Sequence, residues 1–279
     1  MAGVLYIVAT PIGNLEDISL RALRILKEVG LIAAEDTRHT RILLNHYDIR
    51  TPLTTCHEHN EKAQVPKLIE RLRSGENLAL VSDAGTPAIS DPGYRLVVEA
   101  VRAGIRVVPV PGPSAVASVL SASGLPTDRF VFEGFLPSKN RERATRLQAL
   151  LNESRTLVFY EAPHRLKESL IEMRRILGDR QIVIAREVSK VHEEFLRGTI
   201  GELVSQFAER EVKGELTIVV RGASGDLPVT EEELKAEIRR LVDAGVGVKQ
   251  ISELLGDRYQ LAKRDVYQMA VKLRTCAEK

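Results

Sequence analysis

Three short polar clusters hold residue types that could move a proton or grip a phosphate: Glu35-Asp36-Thr37-Arg38, Glu161-Ala162-Pro163-His164-Arg165 and Arg186-Glu187-Val188-Ser189-Lys190. A carboxylate or a neutral imidazole can take the proton of a weakly nucleophilic hydroxyl, so Glu35, Asp36, Glu161, His164 and Glu187 are candidate bases. An arginine fork or a lysine ammonium nearby suits phosphate oxygens, which makes Arg38, Arg165, Arg186 and Lys190 candidate anion holders. The competing assignment for each carboxylate is an interdomain salt bridge or a helix cap, because ion-pair networks also gather at clefts. His57 and His59 have metal-ligand chemistry but no second cluster within reach, so no metal is expected.

A second set of segments offers chemistry through its backbone. Val81–Gly93 is a run of small residues, aspartates and prolines, and Thr10-Pro11-Ile12-Gly13-Asn14 and Pro111-Gly112-Pro113-Ser114-Ala115 are of the same kind. With few bulky side chains in the way, main-chain groups can lie directly against a folded small molecule. Gly85 and Gly93 can take backbone angles closed to other residues. No Gly-x-Gly-x-x-Gly follows the first strand, and no Gly-x-x-x-x-Gly-Lys-Ser/Thr or Gly-x-Ser-x-Gly occurs. A dinucleotide fold, a nucleotide triphosphatase and a serine hydrolase elbow are therefore disfavoured.

The elements that must position these loops follow from hydrophobic periodicity. Leu5–Ala9, Leu31–Ala34, Asn77–Val81 and Ile105–Val110 read as short buried strands. Helical spacing runs through Leu20, Leu23, Ile25 and Leu26 with Asp17 or Ser19 as cap, through Ile42 to Leu44, from His57 to about Arg73, from Tyr94 to Gly104, and over Ala117–Ser123 capped by Ser114. Strand, loop and helix alternate as far as Gly124, which predicts a largely parallel sheet with the loops at its carboxyl edge, where open α/β sheets bind ligands. Beyond a crossing at Leu125-Pro126-Thr127-Asp128, strands at Phe130–Phe132, Thr156–Tyr160, Gln181–Ala185 and Glu215–Val220 mix with helices at Asn140–Asn152, His164–Leu177 and Gly201–Arg210. Short loops between some of these strands predict a mixed sheet.

The bulk properties fit this division. A chain of 279 residues, 44% hydrophobic and 28% charged, can fill two domains and an appendage. No apolar run approaches the ~20 residues that span a bilayer. The N-terminal segment has no basic region and reaches Pro11 too early for a signal peptide, so a cytoplasmic protein is expected. Cys56 and Cys276 are too far apart to suggest a disulfide framework. The net charge of +2 argues against a protein coated with nucleic acid. Local basic patches remain: Lys139, Arg141, Arg143 and Arg146 against Glu142, and Arg258, Lys263, Arg264, Lys272 and Arg274 against Asp265. The alternative is a solvated helix face.

Ser224-Gly225-Asp226-Leu227-Pro228 reads as a linker, and Thr230 with Glu233 as a capping box for the helix that follows. A short helix over Val248–Leu255, a turn, and a longer helix over Leu261–Arg274 form a helix-turn-helix-like unit, with a packing or dimerisation bundle as the alternative.

The segments Thr10–Asn14, Ala34–Arg38, Ser82–Gly93, Pro111–Ser114, Tyr160–Arg165 and Lys213-Gly214-Glu215 together resemble the signature of the tetrapyrrole-methylase-like family. Within it, they resemble the branch that methylates small-subunit ribosomal RNA at a cytidine ribose 2′-oxygen. The resemblance spans about residues 4 to 222. It implies an α/β fold of two domains, residues 1–124 and 125–223, with S-adenosylmethionine bent into the cleft between them, plus a small all-α helix-turn-helix-like appendage over 224–279. It also implies a homodimer and 16S ribosomal RNA, or the small ribosomal subunit, as partner.

Carried over position by position, the family's cofactor contacts would be Pro11 and Ile12, then Asp83, Gly85, Thr86 and Ile89, then Ser114 and Ala115, with Tyr160 and Leu216 from the second domain. Lys263 and Arg264 in the appendage would help to grip RNA. Ser82-Asp83-Ala84 stands where tetrapyrrole-modifying relatives show Gly-Asp-Pro, which favours the RNA branch over a porphyrinoid substrate. The alternatives are a methyltransferase for a tetrapyrrole or another small molecule, and a non-catalytic RNA-binding or ribosome-assembly factor.

Overall fold

The computed structural model describes residues 2–208, 210, 212–223, 231–243, 246–259 and 261–277. The first domain alternates strand and helix: β1 (Val4–Val8), α1 (Leu20–Glu28), β2 (Leu31–Ala34), α2 (Thr37–His46), β3 (Leu53–Thr55), α3 (Glu61–Arg73), β4 (Leu78–Val81), α4 (Tyr94–Arg102), β5 (Arg106–Val110) and α5 (Ala115–Ser123). Its strands pair in parallel in the order β3-β2-β4-β1-β5. Every residue of β2 and β4 is buried, as two covered faces require. One face takes Ala22, Ile25 and Leu26 of α1 with Leu43 and Leu44 of α2. The other takes Leu68 and Leu72 of α3 with Leu96 and Ala100 of α4. Ser19, not Asp17, caps α1, its hydroxyl accepting from the Ala22 N–H.

Parallel pairing sends the carboxyl end of every strand to one edge. Because β4, β1 and β5 are neighbours, the loops after them lie side by side although about seventy residues of chain separate the first from the second. The three small-residue segments meet there.

The second domain holds β6 (Phe130–Phe135), α6 (Asn140–Ala149), β7 (Thr156–Glu161), α7 (Leu166–Leu177), β8 (Gln181–Arg186), β9 (Glu194–Thr199), α8 (Ile200–Gln206) and β10 (Leu216–Val220). Its sheet is mixed, as expected, in the order β6-β7-β10-β8-β9, with only β6 and β7 parallel. Alternation along the strands sorts the residues between two faces. Leu157 and Phe159, Ile182 and Ile184, and Ile218 and Val220 pack under α6, α7 and α8. Val158, Val183, Ala185 and Val219 point the other way and are covered by Val116, Val119 and Leu120 of α5. The last helix of the first domain is thus the roof of the second sheet, and a dry apolar layer joins the domains.

β3 and β9 carry no clear signal in the sequence. Leu53-Thr54-Thr55 is too short to show a period, and Glu194-Phe195-Leu196-Arg197-Gly198-Thr199 is an edge strand whose residues are all intermediate or exposed. The pairing partner, not the local pattern, makes them strands.

The appendage comprises α9 (Glu231–Asp243), α10 (Val248–Tyr259) and α11 (Lys263–Ala277). The Ser224–Pro228 linker and Thr230 of the expected capping box lie outside the described residues. α10 runs four residues past the expected Leu255, and α11 starts two residues after Leu261. Leu234, Ile238, Ile251, Leu255, Val266 and Ala270 form a core of their own, and the main packing partners of these helices are one another. Deleting residues 224–279 is expected to leave the two α/β domains folded. Their melting temperature should move by less than the about 2–4 °C that 1 kcal/mol makes in a chain of this size. A larger loss in calorimetry would mean that the appendage holds the body together.

Candidate functional site

The segments at the sheet edge are pinned to each other before any side chain reaches outward. Thr10 and Gly85 exchange two backbone hydrogen bonds, N–H to C=O at 2.9 and 3.0 Å, and the Thr10 hydroxyl donates to the Ser82 carbonyl at 3.1 Å. Gly85 makes this exchange at φ +76°, a left-handed conformation that favours glycine. A Cβ there would meet Ile12 and the Pro113 carbonyl only at ordinary contact distance, so the backbone angle, not lack of space, selects glycine. At its far end, the buried Glu61 carboxylate of α3 accepts from the Gly93 and Arg95 N–H groups, both at 3.1 Å, and so closes the amino end of α4. Between these anchors, Ala88 and Ser90 take φ +67° and +64°, which side-chain-bearing residues rarely adopt.

Against these loops stands a cleft of about 540 Å³, a size suited to a small-molecule ligand. The first domain lines it with Ile12, Ala84, Gly85, Thr86 and Ile89–Asp91, and with Ser114 and Ala115 at the amino end of α5. The opposite wall follows from strand pairing. Phe135 ends β6 beside Tyr160, and the antiparallel match of Glu161 with Leu216 sets the end of β7 against the start of β10. Phe135, Tyr160–Pro163, Val188 and Gly214–Thr217 thereby form one surface. The Phe135 and Tyr160 ring centroids are 5.6 Å apart, and burial pushes the Tyr160 phenol upward.

Of the residues that the family resemblance nominates for the cofactor, Ile12, Gly85, Thr86, Ile89, Ser114, Ala115, Tyr160 and Leu216 line the cleft. Pro11 and Asp83 do not. Pro11 is buried behind the wall, and Asp83 turns toward β2, where its Oδ1 accepts from the Asp36 N–H at 3.1 Å.

The candidate bases fare differently. Glu161 borders the cleft but is 2% exposed. Its carboxylate accepts from the Ser169 hydroxyl at 2.5 Å and the Ala162 N–H at 2.9 Å, and faces Arg165 at 3.5 Å. Both oxygens accept a hydrogen bond from the second domain and a guanidinium stands beside them, so it braces the end of β7. His164 is exposed, on the turn before α7, and is not part of the cleft wall. Asp36 caps α2 and pairs with Arg38. The hydrogen bonds from the Arg38 side chain and then its backbone hold its carboxyl down at about 2, too acidic for a useful base. Glu187 accepts from Lys190 at 2.8 Å and from the Glu215 N–H at 2.9 Å, and the lysine holds its carboxyl low. Glu35 follows β2 and lies outside the cleft wall, its carboxyl raised by burial and then by Asp83.

The group that sequence reasoning missed is Asp91. It lines the cleft, and its carboxyl is pushed up to about 6 by burial first, then by Glu35, with Asp83 adding and the Ser82 hydroxyl opposing. Only the pairing of β2 with β4 brings Glu35 to the loop that holds Asp83 and Asp91, so no local motif announces the three together.

The anion holders are mostly committed elsewhere. Arg165 donates to the Leu136 and Pro137 carbonyls, Arg186 pairs with Glu194, and Lys190 joins Glu187 and Glu215. On α6 and the residue before it, Arg143 pairs with Glu172, Arg146 with Glu133 and Lys139 with Glu142, so the patch read from the sequence is largely neutralised. Arg38 is 90% exposed beside the sheet edge, its guanidinium paired with Asp36 at 2.7 Å. Lys263 and Arg264 are exposed at the start of α11.

Comparison with known proteins adds to this geometry. The family model for tetrapyrrole (corrin/porphyrin) methylases matches residues 4–204. A ribosomal RNA small subunit methyltransferase I from Pseudomonas aeruginosa is 51% identical over 276 residues, covering 97% of each chain. One from Synechocystis is 48% identical over 274 residues, covering 97% of this chain and 98% of its own. Among solved structures, a uroporphyrin-III C-methyl transferase from Thermus thermophilus complexed with S-adenyl homocysteine superposes with a TM-score of 0.54. It is 22% identical and covers 78% of this chain and 97% of its own, which speaks to the fold.

The raised carboxyl of Asp91 has a measurable cost. Its proton is held more tightly in the folded chain than at the ordinary value of 3.8, so the stability it contributes is complete below that value and lost as pH rises through about 6. Asp91→Asn is therefore expected to be more stable than the parent at pH 8, with the advantage shrinking below pH 6 and gone near pH 4. Denaturant midpoints measured at the two ends check it, and a difference independent of pH would refute it.

Proposed function

The chain belongs to the tetrapyrrole (corrin/porphyrin) methylase family, within its ribosomal RNA small subunit methyltransferase I group, and on that premise we propose that it methylates a cytidine ribose 2′-oxygen of 16S ribosomal RNA. It is an S-adenosylmethionine-dependent methyltransferase of small-subunit ribosomal RNA. The observation that carries the reading is the cleft between the two sheets, in a chain that matches those relatives over nearly its whole length.

The cleft fits the cofactor by its chemistry. Ala84, Gly85, Ala115, Ala162 and Gly214 leave backbone groups accessible, Ile12, Ile89 and Leu216 supply apolar contact, and the Phe135 and Tyr160 rings offer faces to a purine. The amino end of α5, with Ser114 and Ala115 in the wall, carries partial positive charge that suits a carboxylate. Bound there, S-adenosylmethionine supplies a methyl group that is already electrophilic, so no Lewis acid is required of the protein. The tasks left to this chain are to exclude water, to place the ribose hydroxyl within the about 3–3.5 Å of a near-attack geometry, and to take up its proton.

RNA recognition falls to cations outside the cleft. Arg38 and the exposed Arg41 flank the sheet edge, and Lys263 and Arg264 stand on the appendage. Such contacts set register and affinity without reading sequence. The proposal includes a cytoplasmic homodimer, in line with the family resemblance and the ribosomal substrate. No helix among the described residues is long and apolar enough to cross a membrane.

Incubation with methyl-labelled S-adenosylmethionine and, separately, bare 16S RNA, isolated small subunits and a tetrapyrrole extract tests the substrate. Label should enter a ribosomal arm and map by mass to one 2′-O-methylcytidine. Label in the tetrapyrrole arm alone, or in none, would overturn the reading. Deleting 224–279 should leave cofactor affinity unchanged while weakening subunit binding and flattening its salt dependence. Equal binding across a salt series would restrict the appendage to packing.

A further inference from the structure

We infer that Asp91 is the base of this reaction: its carboxylate takes the 2′-hydroxyl proton of the acceptor ribose inside the cleft. The inference rests on the methyltransferase reading above and names the residue that reading leaves open. Among the described residues three carboxylates border the cleft, Asp91, Glu161 and Glu215. Glu161 is sealed by Ser169, Ala162 and Arg165. Glu215 is 74% exposed and paired with Lys190 at 3.2 Å. Asp91 alone of the three combines a place in the wall, partial burial and, among the described residues, no cation partner.

Its surroundings are those of a base held in reserve. The charge of Glu35, just after β2, and that of Asp83 in its own loop act on it, the Ser82 hydroxyl bonds it, and across the cleft the Tyr160 phenol feels its charge. Burial, and after it the like charges, raise its affinity for a proton to a value of about 6, which leaves it ionised at neutral pH yet a stronger base than an ordinary aspartate. The two left-handed residues just before it, Ala88 and Ser90, show that the loop accepts strain to present this segment. The Ala88 N–H to Pro92 carbonyl bond at 3.3 Å closes the loop around it.

The step balances. As the ribose oxygen bonds to the methyl carbon, the oxygen–hydrogen bond breaks toward Asp91 and the carbon–sulfur bond breaks toward sulfur. The products are a methyl ether, a neutral thioether and a protonated carboxyl group.

The test compares wild type, Asp91→Asn and Glu35→Gln with small subunits as acceptor. Asp91→Asn should bind S-adenosylmethionine in calorimetry as wild type does and stay folded, yet lose about 10²-fold or more in single-turnover rate. The wild-type rate should fall about tenfold for each pH unit below about 6. Carbon-13 NMR of the Asp91 carboxyl in the protein without substrate should show the matching titration. In Glu35→Gln both inflections should move to lower pH, because one like charge is gone. If Asp91→Asn binds cofactor and transfers methyl at the wild-type rate, or if the NMR titration sits at the ordinary aspartate value, the inference fails while the methyltransferase reading stands. If wild type methylates no ribosomal substrate, both fail.

Discussion

The exchange of two backbone hydrogen bonds between Thr10 and Gly85 is the constraint on which the rest of the site depends. The parallel sheet brings the loops after β1 and β4 to one edge, but a shared edge does not fix their conformations. The exchange does, because each residue satisfies the other's N–H and C=O and the Thr10 hydroxyl adds a third tie to Ser82. Its net energy is modest, about 0.5–1.5 kcal/mol for each bond. Its geometric effect is larger. With Gly85 held, Ala84 and Thr86 must line the cleft, and the chain from Thr86 to Gly93 must return across it to the buried Glu61.

The second wall is rigid for a different reason. Tyr160 and Leu216 belong to neighbouring central strands of a sheet whose other side is filled by Leu157, Phe159, Ile218 and their partners. Val116, Val119 and Leu120 of α5 press on the near side of the same sheet. Since α5 starts with the cleft residues Ser114 and Ala115, one helix both lines the site and sets the spacing of the two walls. A second tie runs outside the apolar layer, where the Ser189 hydroxyl bonds the Asp17 carboxylate and Lys190 lies against Gly13.

This division explains what could be read in the chain. Strand–loop–helix alternation, the mixed second sheet and the separate helical unit were legible because they repeat over many residues. The small-residue loops were legible because Gly and Pro punctuate strongly, and most of the residues that the family resemblance nominates within them line the cleft. Roles that depend on which strands become neighbours were not legible. Glu161, with His164 and Arg165 close by in sequence, has the composition of a catalytic cluster, yet pleating turns its carboxylate inward to Ser169. Arg186 and Lys190 look like phosphate holders until Glu194, Glu187 and Glu215 are placed beside them. Asp91 looked like turn punctuation before Pro92, since nothing local shows that Glu35, more than fifty residues earlier, lies near it.

The contrast between paired and unpaired acids carries the argument further. Through most of the molecule, partly buried carboxylates have a cation or a ring of donors: Glu61, Glu133, Glu161, Glu172, Glu187 and Glu194 all do. At the sheet edge the pattern reverses: burial and neighbouring acids raise the carboxyls of Glu35 and Asp91, and His57 offsets only part of the effect on Glu35. No group of three or more His, Cys, Asp and Glu residues among the described residues has a metal-binding arrangement. A chain selected for stability alone would gain by replacing one of these acids with its amide. Their presence around Asp91, which stands in the cleft wall beside a loop strained at Ala88 and Ser90, is what a proton-accepting task would demand, since a carboxylate stabilised by a neighbouring arginine gives up the basicity that the reaction needs.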